Sequence, residues 1–369
     1  MKQHGGDIYG EKIIRLDFSV NTNPKGMPVS VRRAVHESEA AWERYPDVAG
    51  RRLKRSAAAF YRGEGLTLSP QFFLFGNGAS DLLFSLVYAL RPKRALLTAP
   101  SFSEYETALM AAGTSVERIF LHPQTDFSVE NEEEQFFSAL CSKEPPDLLI
   151  LTNPNNPTGR KISLSWLRHL AEKCRETGTL LLVDECFGWF LENRKEISLL
   201  PLLSADPEGF SHVVVLNAMT KIFSMAGLRL GFLVCTDSML VRKLEEVRQP
   251  WSVSAPAEAA GLAAFREREF IDQSAAFVMR EREILAAGLK QLGFAVYSSD
   301  ANYLLFRKEE GDPVDYYDAC LSRGILIRSC ANFYGLSDAY YRAAVRTEKE
   351  NQILLSCLNE ACLERKRRY

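Results

Sequence analysis

The stretch Asn217-Ala218-Met219-Thr220-Lys221-Ile222-Phe223-Ser224-Met225-Ala226-Gly227-Leu228-Arg229-Leu230-Gly231-Phe232 joins two apolar runs, His212 to Leu216 and Gly231 to Cys235. Both runs have the length and composition of strands. Just past the first stands a lysine, with an arginine eight residues further on. An amine in that place can condense with an aldehyde, and a guanidinium fork can hold a phosphate. A surface lysine near a structural arginine is the ordinary explanation of such a pair. Three other stretches, each supplying a further part of one site, decide against it.

Outward from this segment, helical stretches alternate with apolar runs from Gly50 onward. The runs are Ala95–Thr98, Leu148–Thr152, Leu180–Val183, Val213–Leu216 and Phe232–Cys235. Unbroken apolar runs of this kind predict an α/β fold whose largely parallel sheet is covered on both faces. Ligands of such sheets bind beyond the carboxyl ends of the strands, where most of the chemical motifs fall. The first 45 residues read as an arm. It has a strand-like Ile13 to Phe18, a turn-rich Ser19 to Pro28, and a helix from Ser30 to Trp42 that stops at Tyr45-Pro46-Asp47. Near Gln249-Pro250-Trp251 the pattern changes to a long helical region, Pro256 to Leu292. Short strands follow at Ala295–Ser298, Tyr303–Arg307, Ile325–Arg328 and Ala343–Arg346. The expected division is an arm (1–45) serving the small domain and the dimer site, a large domain (46–250) and a small α+β domain (251–369).

The 369 residues carry 45 Lys+Arg against 47 Asp+Glu, so no basic excess supports nucleic-acid binding. The charged end Glu364-Arg365-Lys366-Arg367-Arg368-Tyr369 reads as a solvated helix terminus. Eight cysteines fall at irregular spacings, without CxxC pairs or zinc-type Cys/His groups. They predict no metal and reduced thiols in a cytoplasmic protein. No signal peptide and no apolar run of membrane-spanning length is read, so no membrane role is expected.

Three further stretches carry chemistry. Gly76-Asn77-Gly78-Ala79-Ser80-Asp81 leads into an apolar helix, Leu82 to Leu90. Small residues there leave backbone N–H groups free for a phosphate, although the third glycine of a dinucleotide fingerprint is missing. Asn153-Pro154-Asn155-Asn156-Pro157-Thr158-Gly159 follows a strand, and its prolines fix a rigid turn. From it the Asn156 amide can donate to a phenolate oxygen. Asp184-Glu185 ends another strand. A buried carboxylate there keeps an aromatic nitrogen protonated, where the plainer explanation is a helix cap. A lysine amine, a phosphate cup, a ring-oxygen donor and a ring-nitrogen carboxylate are the parts a pyridoxal phosphate enzyme needs.

In this order the motifs resemble fold-type I pyridoxal phosphate enzymes, the class I/II aminotransferase superfamily, on the histidinol-phosphate aminotransferase branch. The resemblance implies that Lys221 carries the cofactor as a Schiff base, Asp184 pairs with the ring nitrogen and Asn156 contacts the ring oxygen. By the same resemblance Gly78, Ala79, Ser80, Thr220 and Arg229 hold the phosphate and Phe102 stacks on the ring. Tyr45 reaches the phosphate of a neighbouring subunit, which implies a homodimer with shared sites. Two positions depart from the aminotransferases: Phe187 stands where they place a tyrosine, and Ala218 where many have a hydroxyl.

A narrower resemblance is to the threonine-phosphate decarboxylase family of cobalamin biosynthesis. It is carried by His4-Gly5-Gly6, Asp17-Phe18-Ser19, Asn21-Thr22-Asn23-Pro24, Arg44-Tyr45-Pro46-Asp47 and Pro250-Trp251-Ser252-Val253. Ala301-Asn302-Tyr303-Leu304-Leu305, Ile325 to Phe333 and Tyr340 to Thr347 complete it, and this family tends to share Phe187. It implies L-threonine O-3-phosphate as substrate and (R)-1-amino-2-propanol O-2-phosphate as product. Arg328 and Arg342 then take the carboxylate and the phosphate, in an order left open, because guanidinium forks bind both anions. His4, Asn21 and Asn23 are further candidates for phosphate contacts. Decarboxylation and transamination differ in which bond to Cα stands perpendicular to the cofactor ring, and sequence does not show that rotation. Histidinol-phosphate aminotransferase is therefore the rival. A regulator's sensor domain and a dinucleotide-binding protein are less favoured, for want of room for a DNA-binding domain and of the third glycine.

Overall fold

The computed structural model describes residues 5–10 and 12–368. The arm holds β1 (Leu16–Asp17) and α1 (Val29–Glu37), followed by α2 (Arg51–Gly63). Then come β2 (Phe73–Asn77), α3 (Gly78–Leu90), β3 (Arg94–Ala99), α4 (Ser103–Ala111) and β4 (Ser115–Phe120). Next are α5 (Glu133–Leu140), β5 (Leu148–Thr152), α6 (Leu164–Thr177), β6 (Leu180–Asp184) and α7 (Leu200–Ala205). β7 (Val213–Ala218), α8 (Met219–Ile222), β8 (Leu230–Cys235) and α9 (Ser238–Val247) complete this part. The remainder is α10 (Ala255–Ala264), α11 (Arg268–Gln291), β9 (Ala295–Val296), β10 (Tyr303–Arg307) and α12 (Tyr316–Leu321). It ends in β11 (Ile325–Leu326), β12 (Arg328–Ser329), β13 (Tyr340–Ala344) and α13 (Glu348–Arg368).

Seven strands form the main sheet in the order β2-β8-β7-β6-β5-β3-β4. The pairs from β7 through to β4 are parallel, whereas β8 runs antiparallel to both β7 and β2. Side chains alternate between faces along each strand. Leu149, Leu151, Leu181, Val183, Val213 and Val215 enter one core, and Leu148, Ile150, Leu182, Val214 and Leu216 the opposite one. Two buried faces require two apolar sets, which is why these strands read as unbroken runs. The reversed direction of β8 matters for the site. Its first residues meet the last residues of its neighbours: Leu230 pairs with Asn77, and Gly231 with both Gly76 and Ala218.

The C-terminal part has its own core, with Leu285, Leu289, Leu304, Phe306, Tyr341 and Leu358. Phe18 of the arm is buried in it. β1 pairs in parallel with β11, the Phe18 amide donates to Leu326 O at 2.7 Å, and the Ala344 amide donates to Phe18 O at 2.8 Å. Asn302 Nδ2 donates to Asn21 O at 2.9 Å.

Several elements differ from the sequence reading. β2 and β4 were not among the apolar runs. β4 is an edge strand, Ser-Val-Glu-Arg-Ile-Phe, whose alternating exposure breaks its apolar signal. The glycine turn expected before Leu82 is the end of β2 and the first turn of α3, which starts at Gly78. The long helical region is two helices, with Ser254 Oγ capping α10 through the Ala257 amide. Ile13 to Phe18 contracts to β1, and Ala343–Arg346 becomes β13, which starts and ends closer to the N-terminus. Ile325–Arg328 divides into β11 and β12, which belong to different sheets. Among the described residues no helix is long and apolar enough to cross a membrane, and no His/Cys/Asp/Glu cluster suits a metal ion.

Candidate active site

A cavity of about 270 Å³ opens beyond the carboxyl ends of β5, β6 and β7, where β8 begins. One wall is a cup for an anion. The α3 N-cap, Asn77, makes no side-chain capping bond, which leaves the first N–H groups of the helix, near Ala79 and Ser80, without a side-chain acceptor from the cap. Two glycines allow the cup to close. A Cβ on Gly78, whose φ is +79°, would meet Arg229 Nη2 at 2.5 Å, and one on Gly231 would meet Ala79 N at 2.5 Å. Arg229 itself has φ +57°, and its Nη1 donates to Ala226 O at 3.2 Å. Thr220 lines the same wall, buried at the start of α8.

The floor is the end of β6. Asp184 Oδ2 accepts from Tyr105 Oη at 2.7 Å, and Oδ1 accepts from the Cys186 amide at 2.9 Å. Thr152 Oγ1 donates to Tyr105 Oη at 2.9 Å, so a chain of hydrogen bonds crosses from β5 through α4 to β6. Burial raises the Asp184 pKa against the pull of these donors. A cationic ring nitrogen above the carboxylate would offset that cost. Glu185 points away from the cavity, to Ser198 Oγ at 2.7 Å and the Leu199 amide at 2.9 Å.

Lys221 rises from the first turn after β7 into the cavity, and no described residue gives its Nζ a hydrogen bond or an ion pair. Burial, and after it the charge of Arg342, lower its pKa. A lysine so placed holds its proton loosely, as an amine that must attack a carbonyl requires.

The far wall comes from the C-terminal part. Arg328 and Arg342 are both 6% exposed and pair directly across β12 and β13. Arg342 donates through Nη1 to Asn156 Oδ1 and through Nη2 to Ser19 O at 2.7 Å, and its Nε is buried without a partner. Arg328 Nη2 donates to Asn332 Oδ1 at 2.8 Å, and its guanidinium lies 5.3 Å from the Phe333 ring centre. No described carboxylate forms an ion pair with either.

The profile described as Aminotransferase class I and II matches residues 13–358. The chain belongs to this family. It is 35% identical over 365 residues to a threonine-phosphate decarboxylase of Salmonella typhimurium, covering 96% of this chain and 95% of that one. The crystal structure of the histidinol-phosphate aminotransferase from Clostridium acetobutylicum superposes with a TM-score of 0.84 at 29% identity, over 95% of this chain and 99% of that one. A histidinol-phosphate aminotransferase from Sinorhizobium meliloti in complex with pyridoxal-5'-phosphate has the same fold, with a TM-score of 0.80 at 20% identity, over 95% of this chain and 92% of that one.

The residues present fit pyridoxal phosphate. The glycine cradle would take its phosphate, the buried Asp184 would face its ring nitrogen, and the Nζ of Lys221 is uncommitted. Asn156 spends its Oδ1 on Arg342, which leaves its amide N–H groups for the cavity.

Of the residues read from sequence, Ala79, Ser80, Phe102, Asn156, Asp184, Thr220, Lys221, Arg229, Asn21, Arg328 and Arg342 all line this cavity. Phe102 packs edge-on against Tyr105, with ring centres 5.7 Å apart. Asn21 has a buried Oδ1 with no partner. Asn23 is not in the lining. Its Nδ2 donates to Ile222 O at 2.7 Å and Ser274 Oγ at 2.8 Å, and its Oδ1 accepts from the Lys25 amide, so it pins the arm and keeps nothing for a ligand. Tyr45 stands outside, 79% exposed and 4.5 Å from the Trp251 ring. His4 lies outside the described residues. Sequence reasoning missed Tyr105, Thr152, Gly5 and the Ser19 carbonyl. For Tyr105 a signal was present, three residues after Phe102 and one helical turn along the same face.

Proposed function

We propose that this chain is a pyridoxal phosphate-dependent decarboxylase of L-threonine O-3-phosphate, yielding (R)-1-amino-2-propanol O-2-phosphate for cobalamin biosynthesis. The observation that carries this reading is the 35% identity to the Salmonella threonine-phosphate decarboxylase over 96% of the chain. The two carboxylate-free arginines support it, since the substrate brings both a carboxylate and a phosphate.

When bound, the cofactor supplies an aldehyde for the substrate amine and a protonated ring that takes up the electron pair of the breaking bond. The chain supplies position and protons. Asp184 would hold the ring nitrogen protonated through its negative charge, with Tyr105 and the Cys186 amide fixing its two oxygens. Arg342, bonded to Asn156, and Arg328, next to Asn332 and Phe333, take the substrate's carboxylate and phosphate between them. Asn21 lines the same cavity. The bond from Cα to the carboxylate breaks and carbon dioxide leaves. Lys221 Nζ then gives a proton to Cα.

The exposed pair Tyr45 and Trp251 supports a homodimer, in which a second copy covers these rings. The arm (1–45), large (46–250) and small (251–369) domains divide the work: the second supplies the cofactor walls, and the other two the substrate wall. Eight free thiols support a reducing, cytoplasmic setting.

The rival is histidinol-phosphate aminotransferase. Phe187 packs edge-on against Tyr303 at 5.0 Å, so the position where aminotransferases carry a tyrosine offers no hydroxyl here. Purified protein given histidinol phosphate with 2-oxoglutarate, and separately threonine phosphate, tests the choice. Turnover of threonine phosphate alone is expected. Turnover of the histidinol pair alone overturns the proposal.

A further inference from the structure

Away from the cavity, two cysteines meet. Cys320 of α12 and Cys357 of α13, 37 positions apart in sequence, have their Sγ atoms 3.7 Å apart. Cys320 is fully buried, and Cys357, only 5% exposed, borders a surface groove with Arg323, Lys349 and Glu360. Arg323 is anchored by ion pairs to Glu360 and Glu364. Nothing in the proposed catalysis uses these thiols. Hydrophobic packing explains one buried cysteine, but not two in contact with one of them at a groove.

We propose that Cys320 and Cys357 are a dithiol modification site that closes to a reversible disulfide when a hydroperoxide reaches Cys357 from the groove. The Cys357 thiolate attacks one peroxide oxygen, the O–O bond breaks, and with hydrogen peroxide the other oxygen leaves as hydroxide and is protonated to water. The Cys320 sulfur then attacks the resulting sulfenic acid, the S–O bond breaks, and a second water leaves. Two thiols lose two hydrogens while one peroxide becomes two waters. Cys357 borders the groove and Cys320 does not, so Cys357 is the attacking sulfur. Closure brings the sulfurs from van der Waals contact to about 2.05 Å. It ties α12, which leads into β11 and the Arg328 strand, to the C-terminal helix.

The test uses the full chain loaded with pyridoxal phosphate and carrying Cys141→Ser, which removes an exposed thiol that would confuse the result. The protein is treated with hydrogen peroxide, alkylated and digested without reduction. The expected result is one peptide pair joined through Cys320 and Cys357, lighter by two hydrogens than the two thiol peptides. The melting temperature should rise by several degrees and return with dithiothreitol. Cys357→Ser should abolish the joined peptide. Cys320→Ser should leave a sulfenic acid at Cys357 that dimedone captures. Full alkylation of both thiols after peroxide, or a link from Cys357 to Cys362 instead, overturns the proposal.

Discussion

Arg328 and Arg342 stand directly opposite one another on adjacent antiparallel strands, both buried and neither in an ion pair with a described carboxylate. Like charges in that register repel. The protein bears this cost where a doubly anionic ligand would remove it. Inorganic phosphate should therefore raise the melting temperature of the wild type, and Arg328→Ala should abolish most of that rise. The same substitution should raise KM for the phosphorylated substrate on the order of 100-fold, the loss expected when one member of a buried, hydrogen-bonded charge pair is truncated. Steady-state kinetics checks it. An unchanged KM would remove Arg328 from the substrate wall.

Tyr105 holds Asp184 in place at 2.7 Å. Replacing it by phenylalanine removes a donor to a carboxylate, a change of about 1.5–3 kcal/mol when the acceptor is charged. It also leaves Thr152 Oγ1 without its acceptor. The Asp184 carboxylate becomes easier to protonate. The visible absorbance of the bound cofactor should then change with pH at a higher midpoint in Tyr105→Phe, and kcat should fall about tenfold or more.

Glu185 carries the clearest pH signature. Burial pushes its carboxyl up to about 7 from an ordinary 4.5, despite donors from Ser198 and Leu199. The folded state thus keeps a proton that the unfolded chain releases. This contribution to stability is intact below pH 4.5 and is lost as pH rises through 7. Glu185→Gln keeps an acceptor for the Leu199 amide and should flatten stability across that window, a difference on the order of 3 kcal/mol between its ends. Urea denaturation at a series of pH values measures it.

Gly231 is a steric test of the phosphate cup. A Cβ there meets Ala79 N at 2.5 Å and Gly78 C at 2.6 Å, both backbone atoms that cannot turn aside. Gly231→Ala should push the start of α3 away from β8. A stability loss of about 1–3 kcal/mol is expected from the overpacking. Cofactor affinity should fall more than tenfold. Titration of the apoprotein, followed by absorbance, reads the second effect.

What was legible in the sequence followed from burial. The positions of Lys221, Asp184 and Asn156 at or just past the ends of β7, β6 and β5 were legible, because strands covered on both faces leave unbroken apolar runs. Strand direction leaves no such trace, so the reversal of β8 that brings Arg229 to the cup could not be read. β4 escaped notice because one of its faces is wet, and β2 because it ends in the glycine turn itself. Asn23 and Asn21 look alike in sequence. Only the partners across 251 residues, at Ser274, separate the one that pins the arm from the one whose Oδ1 stays unpaired in the cavity wall. Tyr105 lay inside a quoted motif, but its role depends on a contact with β6, 79 residues away.

Which bond to Cα gives way is the question on which the whole account turns, and product analysis answers it. The pyridoxal phosphate-loaded protein is incubated with L-threonine O-3-phosphate, and carbon dioxide and pyridoxamine phosphate are quantified together. The account predicts one carbon dioxide per substrate consumed, an equal amount of (R)-1-amino-2-propanol O-2-phosphate, and no accumulation of pyridoxamine phosphate. Pyridoxamine phosphate formed without carbon dioxide would contradict it.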